Sequence, residues 1–155
     1  MLELAVLSAA FAMGAAVPDR YACGPCSPPL SWSEPPAGTQ SLAILCDDPD
    51  APAGDWVHWV VFNLAPDVRA LPENVARDAA LPGGAVQGVN DYDRGGYDGP
   101  CPPPGRLHRY HFKVFALDAR LALDASARKA DLMKAMRGHV LAQGTLVGTY
   151  ARRTR

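Results

Sequence analysis

The 155-residue chain has no block of like charges, and its formal net charge is only −1. A nearly neutral balance without a basic patch argues against nucleic acid as a partner and against a polybasic membrane anchor. The longest stretch with few polar residues, residues 4–17, is interrupted by Gly14 and is too short to span a membrane. It also lacks the positively charged start of a signal peptide. We therefore expect a cytoplasmic protein without an integral membrane segment, and a periplasmic or secreted location is the alternative.

The sequence also lacks the motifs of several enzyme classes. It contains no HExxH zinc motif, and no serine or cysteine stands in a recognisable pairing with a catalytic base. Cys23 and Cys26 have the spacing of a thioredoxin redox motif, but the Ser-Pro-Pro of residues 27–29 prevents the helix that this motif needs. Cys46 and Cys101 are single, so a four-cysteine zinc site has no second pair. We expect buried thiols or at most one structural disulfide, and no cofactor.

Turn-forming residues are abundant instead, with 14 glycines and 15 prolines. They exclude long helices over most of the chain and predict a β-rich fold with substantial loops. Three runs rich in apolar residues predict strands, namely residues 41–46, 56–64 and 108–117. The run 56–64 is apolar on both faces, so we expect it in the middle of the core. Residues 66–105 are dominated by glycine and proline and predict a long loop region that lines a site.

The last third of the chain carries a helical pattern. Asp124 or Ser126 can cap a helix that ends near Gln143, with His139 close to its C-terminal end. The apolar stripe of this helix consists of Leu132, Met133, Met136 and Val140. A last strand is predicted over residues 145–150. Together the elements predict one domain over residues 1–155, which is within the ordinary size of a domain.

Two of the four histidines lie where predicted strands meet polar loops. His58 and His108 each belong to a strand with a largely apolar background. The two-residue period of a strand places His108 and Tyr110 on the buried face, whereas His111 points to solvent. A single histidine in such surroundings is usually a satisfied core residue. Two of them, each beside a proline-rich loop, predict a shared site.

A buried imidazole needs a hydrogen-bond partner for each ring nitrogen. Asp48 or Asp50 can accept from one nitrogen, which fixes the tautomer and favours the charged ring. Backbone N–H groups around Gly96 and Gly99 would add donors, as would a nearby tyrosine hydroxyl. Trp56 would form an apolar wall. This arrangement predicts a shallow receptor for a small oxyanion.

Two long motifs resemble the signatures of the phosphatidylethanolamine-binding protein (PEBP) family. The first consists of residues 48–52 (DPDAP) and 56–63 (WVHWVVFN), and the second of residues 96–105 (GYDGPCPPPG) and 108–110 (HRY). Residues 11–18 and 27–32 also resemble the family, so the resemblance extends over nearly the whole chain. It points to the bacterial and archaeal branch, which is related to the Raf kinase inhibitor protein.

The resemblance implies a mainly β fold of two antiparallel sheets in Greek-key order, with one or two helices including one near the C-terminus. It implies an anion pocket near one end of the fold, and it assigns no catalytic residue and no metal. The implied ligand-binding residues are Asp48, Asp50, Pro52, Trp56, His58, Gly99, Pro100, His108 and Tyr110. The implied function is binding of a small anionic or phosphate-bearing group. The resemblance also implies regulation or inhibition of a protein kinase or protease, and a homodimeric assembly.

Two other functions stay open on the sequence alone. Asp48 and His108 can act as general base and acid, or hold a metal together with His58, so a His/Asp-dependent hydrolase is the second hypothesis. A structural or interaction domain whose pocket binds nothing is the third. Cys23 and Cys101 both lie in loops that can approach the expected pocket. A disulfide between them is therefore an additional hypothesis.

Overall fold

A computed structural model describes residues 2–153; Met1, Thr154 and Arg155 lie outside the described residues, with the corresponding ends of the predicted domain. Nine strands occur in the described part. They are β1 Leu2–Glu3, β2 Val6–Leu7, β3 Leu30–Trp32, β4 Ser41–Asp48, β5 Trp56–Leu64, β6 Ala70–Leu71, β7 Val86–Gln87, β8 His108–Leu117 and β9 Val140–Tyr150. The helix α1 spans Lys129–Met136, and 3₁₀ turns span Asp19–Tyr21 and Pro82–Gly84.

The strands form two sheets. The large sheet has the order β1-β9-β8-β4-β5-β7, and the small sheet has the order β2-β3-β6. The long strands β4, β5, β8 and β9 pair antiparallel, as does each pair in the small sheet. The short edge strand β1 pairs parallel to β9. The predicted mainly β class, with two sheets and a helix near the C-terminus, is confirmed, and the parallel edge strand is an addition to the antiparallel prediction.

Apolar side chains cover both faces of the large sheet. On one face, Ile44 belongs to the same buried cluster as Trp32 of the small sheet. On the other face, Leu45 belongs to a second cluster that includes Leu132 of α1. Successive side chains of a strand point to opposite faces, so a strand covered on both sides is apolar throughout. The burial of β5 along nearly its whole length confirms its predicted place in the core.

The C-terminal helix is shorter than the sequence pattern predicts. The residue before α1 is Arg128, whose backbone N–H donates to Asp131 in the first turn at 2.9 Å. Gly138 follows the helix with a φ of +83°, a conformation that suits glycine and ends helices. The predicted caps, Asp124 and Ser126, and the predicted end near Gln143 are therefore wrong. Pairing of β9 with the whole length of β8 takes residues from 140 onward out of the helix.

The residues of the predicted apolar stripe consequently divide between different environments. Leu132 and Met136 are buried under the sheet, whereas Met133 is 42% exposed. Val140 lies at the start of β9, opposite Leu117. His139 lies beyond the helix, and its Nδ1 is 2.7 Å from a carboxylate oxygen of Asp118. Within residues 2–153 no helix has the length and apolar character needed to cross a bilayer.

Candidate functional site

A cavity of about 290 Å³ lies where the end of β4 meets the starts of β5 and β8. Because β4 runs antiparallel to both neighbours, its last residues lie beside the first residues of each. The loops before β5 and before β8 complete the walls. The lining residues are Asp48, Ala51, Pro52, Ala53, Trp56, His58, Tyr92, Cys101, Pro102, Pro103, His108 and Tyr110.

The structure brings together six of the nine predicted ligand-binding residues. Those that line the cavity are Asp48, Pro52, Trp56, His58, His108 and Tyr110. The other three, Asp50, Gly99 and Pro100, do not line it. Their positions are determined by contacts with other parts of the chain, which the sequence pattern does not specify.

Asp50 faces away from the cavity, toward Arg109. Its carboxylate accepts from the backbone N–H of Arg109 at 2.9 Å and from its guanidinium at 2.8 and 2.9 Å. Hydrogen bonding to Arg109 holds the pKa of Asp50 well below its ordinary value. The backbone N–H of Asp50 donates to Oδ1 of Asp48 at 2.7 Å. Asp50 therefore shapes the loop beside the cavity, and of the two predicted alternatives it is Asp48 that contacts a histidine.

Gly99 and Pro100 hold the loop before β8 against the N-terminal segment. The N–H of Gly99 donates to the carbonyl of Gly24 at 2.8 Å, and the carbonyl of Pro100 accepts from Cys23 N–H at 2.9 Å. A Cβ at position 99 would collide with the carbonyl oxygen of Tyr21, so only glycine fits there. The N–H of Gly99 thus already has a protein acceptor, and ligand contact by this loop stays a prediction.

His108 is paired with Asp48 at the floor of the cavity. Nδ1 of His108 lies 2.6 Å from Oδ2 of Asp48, and both side chains are at least 95% buried. The carboxylate of Asp48 has its other oxygen on the N–H of Asp50. Because a carboxylate only accepts, Nδ1 carries a proton and the remaining nitrogen, Nε2, faces the cavity side. Nε2 of His108 makes no hydrogen bond to the described part of the chain.

His58 is held in a similar orientation by a different group. Its Nδ1 lies 2.6 Å from the backbone carbonyl oxygen of Asp98, so Nδ1 again carries the proton. The ring is 2% exposed. Burial lowers the pKa of His58 below its ordinary value, which favours a neutral ring when no ligand is bound. Nε2 of His58 has no partner among residues 2–153 and presents a lone pair.

Tyr110 stands between the two imidazoles. Its ring centroid is 5.3 Å from that of His58, edge-on, and 6.3 Å from that of His108, nearly parallel. Burial, together with the carboxylate of Asp48, raises the pKa of Tyr110, so its hydroxyl keeps its proton and remains a donor. Within residues 2–153 neither this buried hydroxyl nor the indole N–H of Trp56 makes a hydrogen bond of normal geometry, although the Asp48 carboxylate lies near the hydroxyl and Tyr92 lies near the indole. Buried donors without a well-placed acceptor are rare in protein interiors.

Tyr92 and Asp98 are absent from the predicted ligand-binding residues, although both help to build this site. Tyr92 packs edge-on against both Trp56 and His58, at 5.4 and 5.8 Å between ring centroids, and forms a cavity wall. The buried carboxylate of Asp98 is bound by Arg77, Arg94 and Asn90 at 3.1, 3.1 and 2.8 Å. The glycine-rich loop carries no periodic pattern that could single out Tyr92. Asp98 lies within the second family motif, and this position is the sequence signal that could have identified it.

The predicted disulfide between Cys23 and Cys101 is present. Cys101 lies in the cavity wall and Cys23 in the segment behind it, so the bond attaches the wall to the N-terminal part of the chain. Cys46 is buried in β4 and Cys26 is partly buried, and neither is bonded.

The residues that the hydrolase hypothesis offers as metal ligands do not form a cluster. In the described part of the chain, no three His, Cys, Asp or Glu side chains lie close enough to one another to hold an ion. Asp48 uses its two oxygens for Asp50 and His108, which leaves the imidazole Nε2 atoms as the groups that face the cavity.

Comparison with known proteins agrees with this architecture. The family model described as phosphatidylethanolamine-binding protein matches residues 7–151. A UPF0098 protein of Methanothermobacter thermautotrophicus is 51% identical over 88% of this chain and 91% of its own length. A UPF0098 protein of Aquifex aeolicus is 42% identical over 95% of this chain and 88% of its own.

Two solved structures are similar over nearly their whole length. E. coli YbcL, a member of the mammalian PEBP family, superposes with a TM-score of 0.91 at 34% identity, covering 97% of this chain and 99% of that one. The PEBP homolog CT736 from Chlamydia trachomatis gives 0.88 at 38% identity, covering 98% and 99%. On sequence, fold and motifs together, the chain belongs to the phosphatidylethanolamine-binding protein family.

Proposed function

We propose that this protein binds a small oxyanion, of the kind carried by a phosphate ester, in the cavity between His58, His108 and Tyr110. One observation carries the proposal: both imidazoles have Nδ1 tied to a protein acceptor at 2.6 Å, which leaves Nε2 of each for a ligand. The unpaired hydroxyl of Tyr110 supplies a third polar atom between them.

The protonation states of these groups fit an anion that arrives with a proton. A neutral His58 presents a lone pair at Nε2, which accepts a hydrogen bond from an acidic O–H of the ligand or takes up its proton. Next to Asp48, a doubly protonated His108 would lie between two negative groups and make charge-assisted hydrogen bonds to both. Tyr110 donates to a further oxygen of the ligand. Three groups therefore complement an oxyanion, namely the imidazoles of His58 and His108 and the hydroxyl of Tyr110.

A phosphate ester also fits the remaining walls of the cavity. Trp56, Tyr92 and the prolines of the two loops are apolar or aromatic, which suits the organic part of a head group rather than a second charge. The family description names phosphatidylethanolamine, whose head group is a phosphate ester. The predicted regulation of a kinase or protease and the predicted homodimer stay predictions, since neither follows from the cavity.

Titration with inorganic phosphate, followed by NMR of the imidazole groups, tests the proposal. We expect the signals of His58 and His108 to shift together and to saturate at millimolar phosphate, because each ring gains a ligand at Nε2. His139, which is exposed and paired with Asp118, is the internal control and should stay in place. Unmoved signals of His58 and His108 at saturating phosphate would contradict the proposal.

The affinity for an oxyanion should increase as the pH falls. Sulfate is the suitable probe, since it stays fully ionised across this pH range. Each proton taken up on binding strengthens the affinity by up to about tenfold per pH unit, so we expect sulfate to bind roughly tenfold more tightly at pH 6 than at pH 7.5. Isothermal titration calorimetry in two buffers of different ionisation enthalpy counts the protons. A flat profile with no proton uptake would show that the rings do not hold the anion by charge.

Without an anion, the same protonation should destabilise the fold. Burial lowers the pKa of His58 in the folded state, so the unfolded chain binds more protons as the pH falls below about 6.5. His111, whose pKa burial also lowers, contributes with the same sign. The free energy of unfolding is therefore expected to decrease from neutral pH toward pH 5, and sulfate should offset part of this loss.

A further inference from the structure

The cavity wall formed by residues 101–103 is anchored mainly by one covalent bond. Among residues 2–153, one backbone hydrogen bond holds the segment between Pro100 and the start of β8; Gly105 N–H donates to the carbonyl of Arg152 at 3.1 Å. Residues 102–104 are all proline and have no N–H to donate. The disulfide from Cys101 to Cys23 is thus the principal attachment of this wall.

A third cysteine lies next to that disulfide in the sequence. Cys26 is a free thiol, partly buried, and only Gly24 and Pro25 separate it from Cys23. The chain bends throughout residues 22–25, and Cys23 is exposed with a φ of +49°. A Cys-x-x-Cys spacing is short enough for a disulfide to close within a single turn. The absence of a following helix removes the resemblance to thioredoxin, but it does not prevent exchange between the three sulfurs.

A guanidinium group favours one sulfur as the leaving group. Nη1 of Arg152 lies 3.7 Å from Sγ of Cys101. A neighbouring cation stabilises a thiolate, and a disulfide is cleaved faster when the thiolate that leaves is stabilised. Attack on Sγ of Cys23 therefore expels Cys101 next to Arg152. Attack on Sγ of Cys101 would instead expel Cys23, which has no such contact among the described residues.

We propose that Cys23, Cys26 and Cys101 form an intramolecular thiol–disulfide exchange site that attaches and releases the cavity wall. The thiol of Cys26 loses its proton to solvent, and the thiolate attacks Sγ of Cys23. The Cys23–Cys26 bond forms, the Cys23–Cys101 bond breaks, and the thiolate of Cys101 takes up a proton. One disulfide and one thiol are present before and after the step, so no external oxidant or reductant is required.

Disulfide mapping of the full chain tests the exchange without reference to any ligand. Protein purified without reductant is incubated at about pH 8.5, labelled with N-ethylmaleimide, acidified and digested for mass spectrometry. We expect a fraction of the label on Cys101, accompanied by a Cys23–Cys26 peptide. C26S should show neither, and the fully buried Cys46 should remain unlabelled in both. Label confined to Cys26, or label on Cys23, would overturn the proposal.

The rate of the exchange tests the role of Arg152. R152Q should slow the appearance of label on Cys101 by about three- to tenfold, because the leaving thiolate loses its cation, and R152K should restore most of the rate. An unchanged rate in R152Q would contradict the assigned direction of attack.

The effect on the cavity rests on the proposed anion function and is measured separately. C101S cannot form the bond to Cys23 and leaves the wall unattached, whereas C26S keeps it attached. We expect sulfate to bind about three- to tenfold more weakly to C101S than to C26S, because an ordered wall no longer excludes water from the anion. If mapping shows exchange but the two affinities are equal, wall release does not control the cavity. If neither variant binds sulfate, the anion function fails while the exchange result stands.

Discussion

Replacing His108 with alanine is expected to abolish measurable oxyanion binding and to lower the free energy of unfolding by about 3–5 kcal/mol at neutral pH. Two effects combine in this variant. The cavity loses the ring that offers Nε2, which should weaken sulfate binding by at least about 30-fold. In addition, the carboxylate of Asp48, 3% exposed, loses its side-chain partner at 2.6 Å and keeps only the N–H of Asp50.

Urea unfolding followed by tryptophan fluorescence measures the stability of this variant. His108→Gln should recover part of the stability, since its amide can still donate to Asp48, but not the pH-dependent anion affinity. His139→Ala is the matched control: its pairing with Asp118 is about half exposed on both sides, so it should change stability by less than about 1 kcal/mol. Equal losses in the two alanine variants would contradict the importance of the buried pair.

Replacing Asp98 with alanine is expected to cost about 2–4 kcal/mol of stability and to weaken oxyanion binding as well. The carboxylate of Asp98 accepts from Arg77, Arg94 and Asn90, and its loss leaves the amide of Asn90, which is fully buried, with fewer partners. The backbone carbonyl of the same residue holds Nδ1 of His58. A loop released from its arginine contacts no longer fixes that carbonyl, so His58 loses its orientation. Asp98 is thus a positioning residue for the cavity.

A second aspartate of the same loop region provides the comparison. Asp93 pairs with Arg128, but the two side chains are 79% and 47% exposed. An exposed ion pair contributes little, so Asp93→Ala should change stability by less than about 1 kcal/mol and leave sulfate binding unchanged. The imidazole signal of His58 distinguishes a positioning role from a general loss of stability. It should shift in folded Asp98→Ala protein and stay in place in Asp93→Ala, and an unmoved signal in both would contradict the role given to Asp98.

The structure agrees with the sequence most closely where a local pattern carries the information. The strands 56–64 and 108–117 were predicted with their observed bounds, because dense runs of β-branched and aromatic residues favour extended backbone in almost any surroundings. The two-residue period also placed His108 and Tyr110 on the buried face. His111 on the opposite face is less solvated than predicted, since its Nε2 is buried without a partner.

The prediction failed where two local patterns competed. Residues 124–143 carry a helical period, yet those from 140 onward form β9. The helical period reflects only contacts between residues three or four positions apart. As a strand, the same residues gain a ladder of hydrogen bonds to β8, which favours β9 over a longer helix. Asp48 and Asp50 are the same type of residue two positions apart, and the turn between them directs one toward His108 and the other toward Arg109.

The sequence by itself determined the strands β5 and β8, the faces of their side chains and the family, because these depend on short-range periodicity and on motifs that are contiguous in the chain. Tertiary structure alone decided which groups meet: Asp48 with His108 across 60 residues, His58 with Asp98 across 40, and Cys23 with Cys101 across 78. The physical reason is that the two-residue period of a strand specifies the direction in which each side chain points. Its partner depends on the pairing of distant strands and on the competition of all neighbours for each donor and acceptor.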